Sequence, residues 1–312
     1  MTRLRALCLV VVTATWGYFL LPRYPSYFIP PFEGALPLRM EILEETLYEE
    51  FPVHSQAYYE ERNLAAREAG ETDDLAVGLD ILGRSDEAAL LLRSKLAEQL
   101  EAGISERGLY TTYANLGTAL IHQNFPAAVA GEAEAIEGVR EGREFIAKSV
   151  EVNPQAHFGR EQWQLAIVGF ILEAIEKPAL LLQRDCLGNA LDPARPVGNL
   201  GTGGTFMVHP SLGSRDSITR IGQPEVAFDE PLLGIIGMWQ VGGGANPHFS
   251  LAVAETLDRV GELKLAWVAY QRTRQMKERF WPDPEIQRAI DDYCATRQGL
   301  LEQKLGPREN LV

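Results

Sequence analysis

Two apolar helical runs back to back, joined by a glycine and carrying alanine where bulk would be expected, leave a chain few ways to fold. Such a pair stands at Leu75 to Leu96, LAVGLDILGRSDEAALLLRSKL. Leu75, Leu79 and Leu82 recur at the spacing of one helical face. Gly83 can take the left-handed conformation that ends a helix, and Ser85 is suited to capping the next one. Asp86 and Glu87 then fall in a first turn, where the helix dipole favours negative charge, and Lys95 lies near the far end. The second helix runs through Ala88, Leu91, Leu92 and Leu96. Ala76 and Ala88 let the two backbones approach; large side chains there would overpack at a cost of about 1 to 3 kcal/mol. The expectation is a closely packed helical hairpin.

This hairpin resembles the tetratricopeptide repeat, a helix-turn-helix unit of about 34 residues with small residues at set places and a glycine in its turn. Leu75, Ala76, Leu79, Gly83 and Ala88 match that pattern, while Thr72 stands where the family prefers Trp and Lys95 where it prefers Ala. The likeness recurs. Tyr113, Leu116, Gly117 and Leu120 occupy the aromatic, leucine, small and large positions of a second first helix. Its partner carries Gly142 and Ser149 at the small positions and closes on SVEVNP at Pro154. Between them AAVAGEAEA predicts a turn lengthened by about thirteen residues, which loops tolerate cheaply. A third first helix is predicted over 160–176, with Trp163, Ile167, Phe170 and Leu172, and Pro178 stops it. Val253, Ala254, Leu257, Gly261, Ala266 and Tyr270 then repeat the pattern in order. A helix from Pro284 to about Leu305 is apolar on one side and charged on the other, as a terminal cap should be.

The resemblance implies an all-α, helical-hairpin solenoid over 40–178 and 231–312, interrupted by an irregular insertion. That insertion, 179–230, is rich in Gly and Pro and lacks helical periodicity. It reads as an accessory surface beside the groove, and its deletion is expected to spare the helices. The apolar run LLGIIGMWQVGGG after Pro231 is the displaced partner of the third unit. Residues 40–51 form an amphipathic helix, with Met40, Leu43, Leu47 and Phe51 on one face, and 58–67 a helix capping the first hairpin.

Ahead of these, Arg3 and Arg5 precede an uncharged run from Ala6 to Leu21. As a helix it reaches about 24 Å against a hydrocarbon core of about 30 Å, with Trp16, Tyr18, Tyr24 and Tyr27 suited to an interface. Residues 1–22 therefore read as a signal-anchor, or else as a cleaved signal peptide, and either exports the remainder to an extracytoplasmic compartment. Residues 23–39 are a linker that its prolines keep from being a regular helix.

The net charge of -14 argues against nucleic acid as a partner. Five histidines share no metal-binding spacing, and Cys8, Cys186 and Cys294 are too scattered for zinc. Cys186 and Cys294 read as two free thiols, with a disulfide between them as the alternative in an oxidising compartment. The glycines of GNLGTGG have no following Lys and read as turn residues. Asp185, His209, Ser211 and Asp216 hold the elements of a nucleophile and base without the spacing of one, which makes an enzyme with its site in the insertion the second reading.

No catalytic, cofactor or metal residue is assigned. The resemblance places Asp73, Val77 and Asp80 of the first unit, Ala114 and Thr118 of the second, and Leu251, Glu255 and Asp258 of the last along the groove. His122 and His248 join them as candidate binding residues. Acidic side chains there would repel an acidic peptide end. The expectation is a non-enzymatic scaffold for a neutral or basic peptide or protein; a homo-oligomeric assembly subunit is the third reading.

Overall fold

The computed structural model describes residues 40–154, 160–198, 217–218, 226–227 and 229–306, all of them within one compact unit, Ala35–Val312. The fold is all-α. Among the described residues, extended pairing is confined to β1 (Ser217–Ile218) against β2 (Val226–Ala227) and to a bridge between Arg184 and Ala190.

Seven helices come first: α1 (Met40–Tyr48), α2 (Gln56–Ala69), α3 (Thr72–Ile81), α4 (Ser85–Glu101), α5 (Glu106–Val129), α6 (Ala133–Val152) and α7 (Arg160–Glu176). From α2 to α7 each packs on the next. The helices α3 and α5 also touch each other, as do α5 and α7, so alternate helices lie side by side in two layers. The α3–α4 hairpin forms where its sequence predicts it. Gly83 takes φ 76° and its N–H bonds to Asp80 O at 2.9 Å, closing α3. Ala76 and Ala88 are buried at the contact. At the α5–α6 crossing the backbones meet through Gly117 and Gly142: a Cβ on either would stand 2.7 or 2.8 Å from the other's carbonyl oxygen.

After α7 a 3₁₀ turn (Pro178–Leu182) leads into the segment 183–198, and then come α8 (Asp229–Met238), α9 (Pro247–Val260), α10 (Leu263–Gln275) and α11 (Pro284–Leu305). The α8 helix packs on α7, the partner position that the sequence predicts for it, with Gly234 set against the Trp163 ring. Helices α9, α10 and α11 pack in succession, and Ala254, Ala266 and Tyr270 are fully buried between them.

Four expectations are corrected. The long turn after the second first helix is absent: α5 continues through Pro126 and the turn is only Ala130 to Glu132. Proline costs an interior helical hydrogen bond, but Ala127 and Ala128 favour helix, and Phe125, Ala128 and Val129 find apolar neighbours. Secondly, α1, expected at the start of the 40–178 array, packs elsewhere. Leu43 and Leu47, both 0% exposed, enter the C-terminal core, and Glu49 pairs with Arg272 of α10. Thirdly, the first part of the insertion is core rather than accessory surface: Leu181, Cys186, Leu187 and Val197 are buried in the same cluster. Lastly, Ser85 is the first helical residue and no cap; its Oγ donates to Asp80 Oδ1 at 2.6 Å.

Candidate functional site

The helices α3, α5 and α7 are tied edge to edge by side chains. His122 Nδ1–H donates to Asp80 Oδ2 at 2.8 Å, the carboxylate being able only to accept. One helix further, Gln164 Nε2 donates to Thr118 Oγ1 at 3.1 Å, and Thr118 donates to Ala114 O at 2.9 Å. These bonds join residues that keep part of their surface in solvent: the Asp80 and His122 side chains are 13% and 29% exposed. Asp73 pairs with Lys95 at the other end of α3. The second layer is tied separately, by Arg93 of α4 donating both terminal nitrogens to Glu141 of α6. A face of half-buried polar residues on a rigid backing results, formed by the candidate positions Asp73, Asp80, Thr118 and His122 together.

Electrostatics mark His122 within it. Burial pulls its pKa down, and the hydrogen bond and charge of Asp80 outweigh that, leaving the imidazole above its ordinary value. With Nδ1–H committed to Asp80, Nε2 is the atom left to a ligand.

The corresponding residues of the last hairpin do not line an open groove. Glu255 and Asp258 are 0% exposed, because the segment 190–198 lies over one side of α9 and α11 over the other. Glu255 Oε1 accepts from the Tyr270 and Tyr293 hydroxyls at 2.5 and 2.6 Å. Its Oε2 takes Arg259 at 2.5 Å and Arg195 at 3.3 Å. Asp258 Oδ2 receives Arg195 at 3.0 Å and Arg297 at 2.5 Å. The same arginines grip the backbone of the segment: Arg297 donates to Arg195 O at 2.6 Å and Arg259 to Ala190 O at 2.8 Å. Gly198 N–H adds a bond to Asp258 O. Three guanidiniums facing two carboxylates compensate the burial of each charge. Burial raises Tyr270 and Tyr293 above the ordinary phenol range, and Glu255 raises them further, so both remain donors. Both Glu255 oxygens are fully engaged, and the cluster acts as a clamp on the 190–198 segment.

His248, the other histidine expected at the groove, is also interior. It stacks on Phe280 with 4.2 Å between ring centroids, and Nε2–H donates to Phe280 O at 2.9 Å. Desolvation pushes its pKa down to about 4, so it is neutral. Asp185 is buried and accepts from the backbone N–H groups of Leu187 and Asn189 and from the Asn189 side chain. Burial raises it to about 6. His209, Ser211 and Asp216 lie outside the described residues, as do 1–39, Cys8 and His157. Cys186 and Cys294 are buried free thiols.

Among the described residues, no group of three or more His, Cys, Asp or Glu side chains could hold a metal ion, and no helix is long and apolar enough to cross a membrane. Sequence reasoning missed Arg195, Arg259, Arg297 and Tyr293. A signal existed for Arg297: it falls on the stripe of Ile286, Ile290, Cys294 and Leu301, where an apolar residue is expected.

No protein family, no curated protein and no solved structure matches the chain.

Proposed function

We propose that the chain is a tetratricopeptide-like array serving as a non-enzymatic interaction scaffold, which holds a neutral or basic peptide or protein on the face of α3, α5 and α7. One observation carries this reading. Where the last hairpin presents acidic residues at the positions that Asp80 and Thr118 hold in the first two, an irregular stretch of chain already lies on them, with Arg195 against Glu255 and Asp258. Helix faces of this kind accept a non-helical segment carrying a cation. In the first two units the equivalent face is partly exposed and cross-tied, and a preorganised surface loses little freedom on binding. Residues 1–22 would anchor or export the array, and a partner would then be extracytoplasmic.

Substituting Thr118→Trp and Val77→Arg fills this face without entering a core. Val77→Arg should keep the wild-type melting temperature, Thr118→Trp should melt lower because it gives up the bond from Gln164, and both should lose co-purification of a partner crosslinked in native membranes. Undiminished capture by both would overturn the proposal, as would turnover of a substrate by the purified chain.

A further inference from the structure

A recess also lies among the C-terminal elements. Between the strap formed by 178–198 and helix α11 runs a cleft of about 340 Å³. Leu182, Leu191 and Pro193 make one wall; Ala289, Ile290 and the Tyr293 ring make the other. Leu182 remains 40% exposed although its neighbour Leu181 is wholly buried. The volume is at the low end for a small-molecule site and suits one large side chain entering from outside.

Both walls are held from beneath. Tyr293 is fixed by its hydrogen bond to Glu255 at 2.6 Å. On the strap, Arg297 Nη1 donates to Arg195 O at 2.6 Å and to Pro193 O at 3.4 Å, and Leu191 N–H donates to Gln183 O at 2.8 Å. The buried arginine clamp therefore also keeps this cleft open, and a recess set in advance is where an anchoring side chain gains most. The rim is acidic. Asp192 on the strap and Asp292 on α11 are both exposed, and neither forms an ion pair among the described residues. A second copy of a chain carrying -14 would bring like charge to this rim.

We propose that this cleft docks an extended segment of a partner protein, which inserts one bulky aliphatic or aromatic side chain between Leu182 and Tyr293 and sets an adjacent Lys or Arg against Asp292 and Asp192. The cleft is separate from the α3–α5–α7 face and serves whether or not that face binds.

The test is fluorescence polarisation of the full chain with two labelled peptides, a central Trp flanked by Lys on both sides or by Glu on both sides, in Gly/Ser spacers. The Lys peptide should bind saturably and the Glu peptide about tenfold more weakly. Ala289→Trp, which fills the cleft, should weaken the Lys peptide about tenfold or more, and Asp292→Lys should lower the charge preference by about two- to fivefold, the range of one exposed ion pair. Thr296→Arg on the rim blocks the same entrance without touching the core, should Ala289→Trp fail to fold. Saturable binding of neither peptide overturns the proposal. So does equal binding of both, or concentration-dependent self-association that disappears in Ala289→Trp or Thr296→Arg, which assigns the cleft to a second copy.

Discussion

Arg297 donates to Asp258 Oδ2 through both Nε and Nη2, at 3.0 and 2.5 Å, and both side chains are 0% exposed. The pair joins the last helix to α9, and through Arg195 O it also secures the strap. Removing Arg297 leaves the buried Asp258 with Arg195 as its one remaining guanidinium, a loss of up to about 3 to 5 kcal/mol. Arg297→Ala should therefore lose that much stability in urea unfolding, and a cycle with Asp258→Asn should return a coupling above about 1 kcal/mol. A loss within the range of an exposed ion pair, below about 1 kcal/mol, would contradict the clamp.

Backbone contact at Gly117 and Gly142 makes α5 and α6 intolerant of a single methyl group. Gly117→Ala places a Cβ 2.7 Å from Gly142 O and 2.8 Å from Ile146, so one helix must move. The expected loss is about 1 to 3 kcal/mol. Gly299 in α11 has open space at the same atom, and Gly299→Ala should instead gain up to about 1 kcal/mol from helix propensity. Thermal or urea unfolding of the two variants side by side checks both signs.

Acid acts on His248 and Asp185 in opposite directions. The fold holds His248 near a pKa of about 4, below its unfolded value near 6.5, so the unfolded chain takes up protons first and stability falls as pH drops through that window. Asp185, raised to about 6, is neutralised earlier in the fold, so its contribution grows as pH drops from about 6 towards 4. Each effect is on the order of 3 kcal/mol, and they offset. Asp185→Asn removes the compensating group. Its urea stability should fall more steeply than wild type between about pH 6 and pH 4; parallel pH profiles would show that Asp185 is not raised.

For His122 the sign is reversed, because Asp80 holds its pKa above the ordinary value. Its contribution to stability is fully present below about pH 6.5 and is lost as pH rises through the folded pKa. Asp80→Asn should lower the His122 pKa in an NMR titration, while the His248 resonance stays untitrated to lower pH in both proteins. An unmoved His122 would show that the carboxylate does not hold it.

Much of the helical layout was legible because the sequence punctuates it. Pro178 and Pro284 bound α7 and α11 where the spacing predicts, and Gly83 and Gly261 close α3 and α9 in the left-handed conformation. The candidate face was legible in part: repeat correspondence places Asp80 and Thr118 on one side of their helices. It places Glu255 and Asp258 on the same side of theirs, but says nothing of what lies over it. The cover comes from Arg195, which is 63 residues from Asp258 in sequence, and from Arg297, which reaches back 102 residues to Arg195 O. Neither link leaves a local period. For the same reason Leu181, Cys186, Leu187 and Val197 carry no core signal in sequence: scattered among Gly and Pro, they acquire a common face only when the arginines draw the strap down. The destination of α1 was hidden likewise, since its amphipathic stripe fits any apolar surface.

Site-specific photo-crosslinking in cells making the full chain tests whether partners bind on the α3–α5–α7 face. The photoreactive residue is placed at Thr118 on that face and at Leu90, which is 73% exposed on α4 in the other layer. A discrete adduct with one protein is expected at Thr118, lost when Val77 is also changed to Arg, and none at Leu90. Adducts of equal yield at both positions, or an adduct at Thr118 that persists in Val77→Arg, would contradict binding on this face.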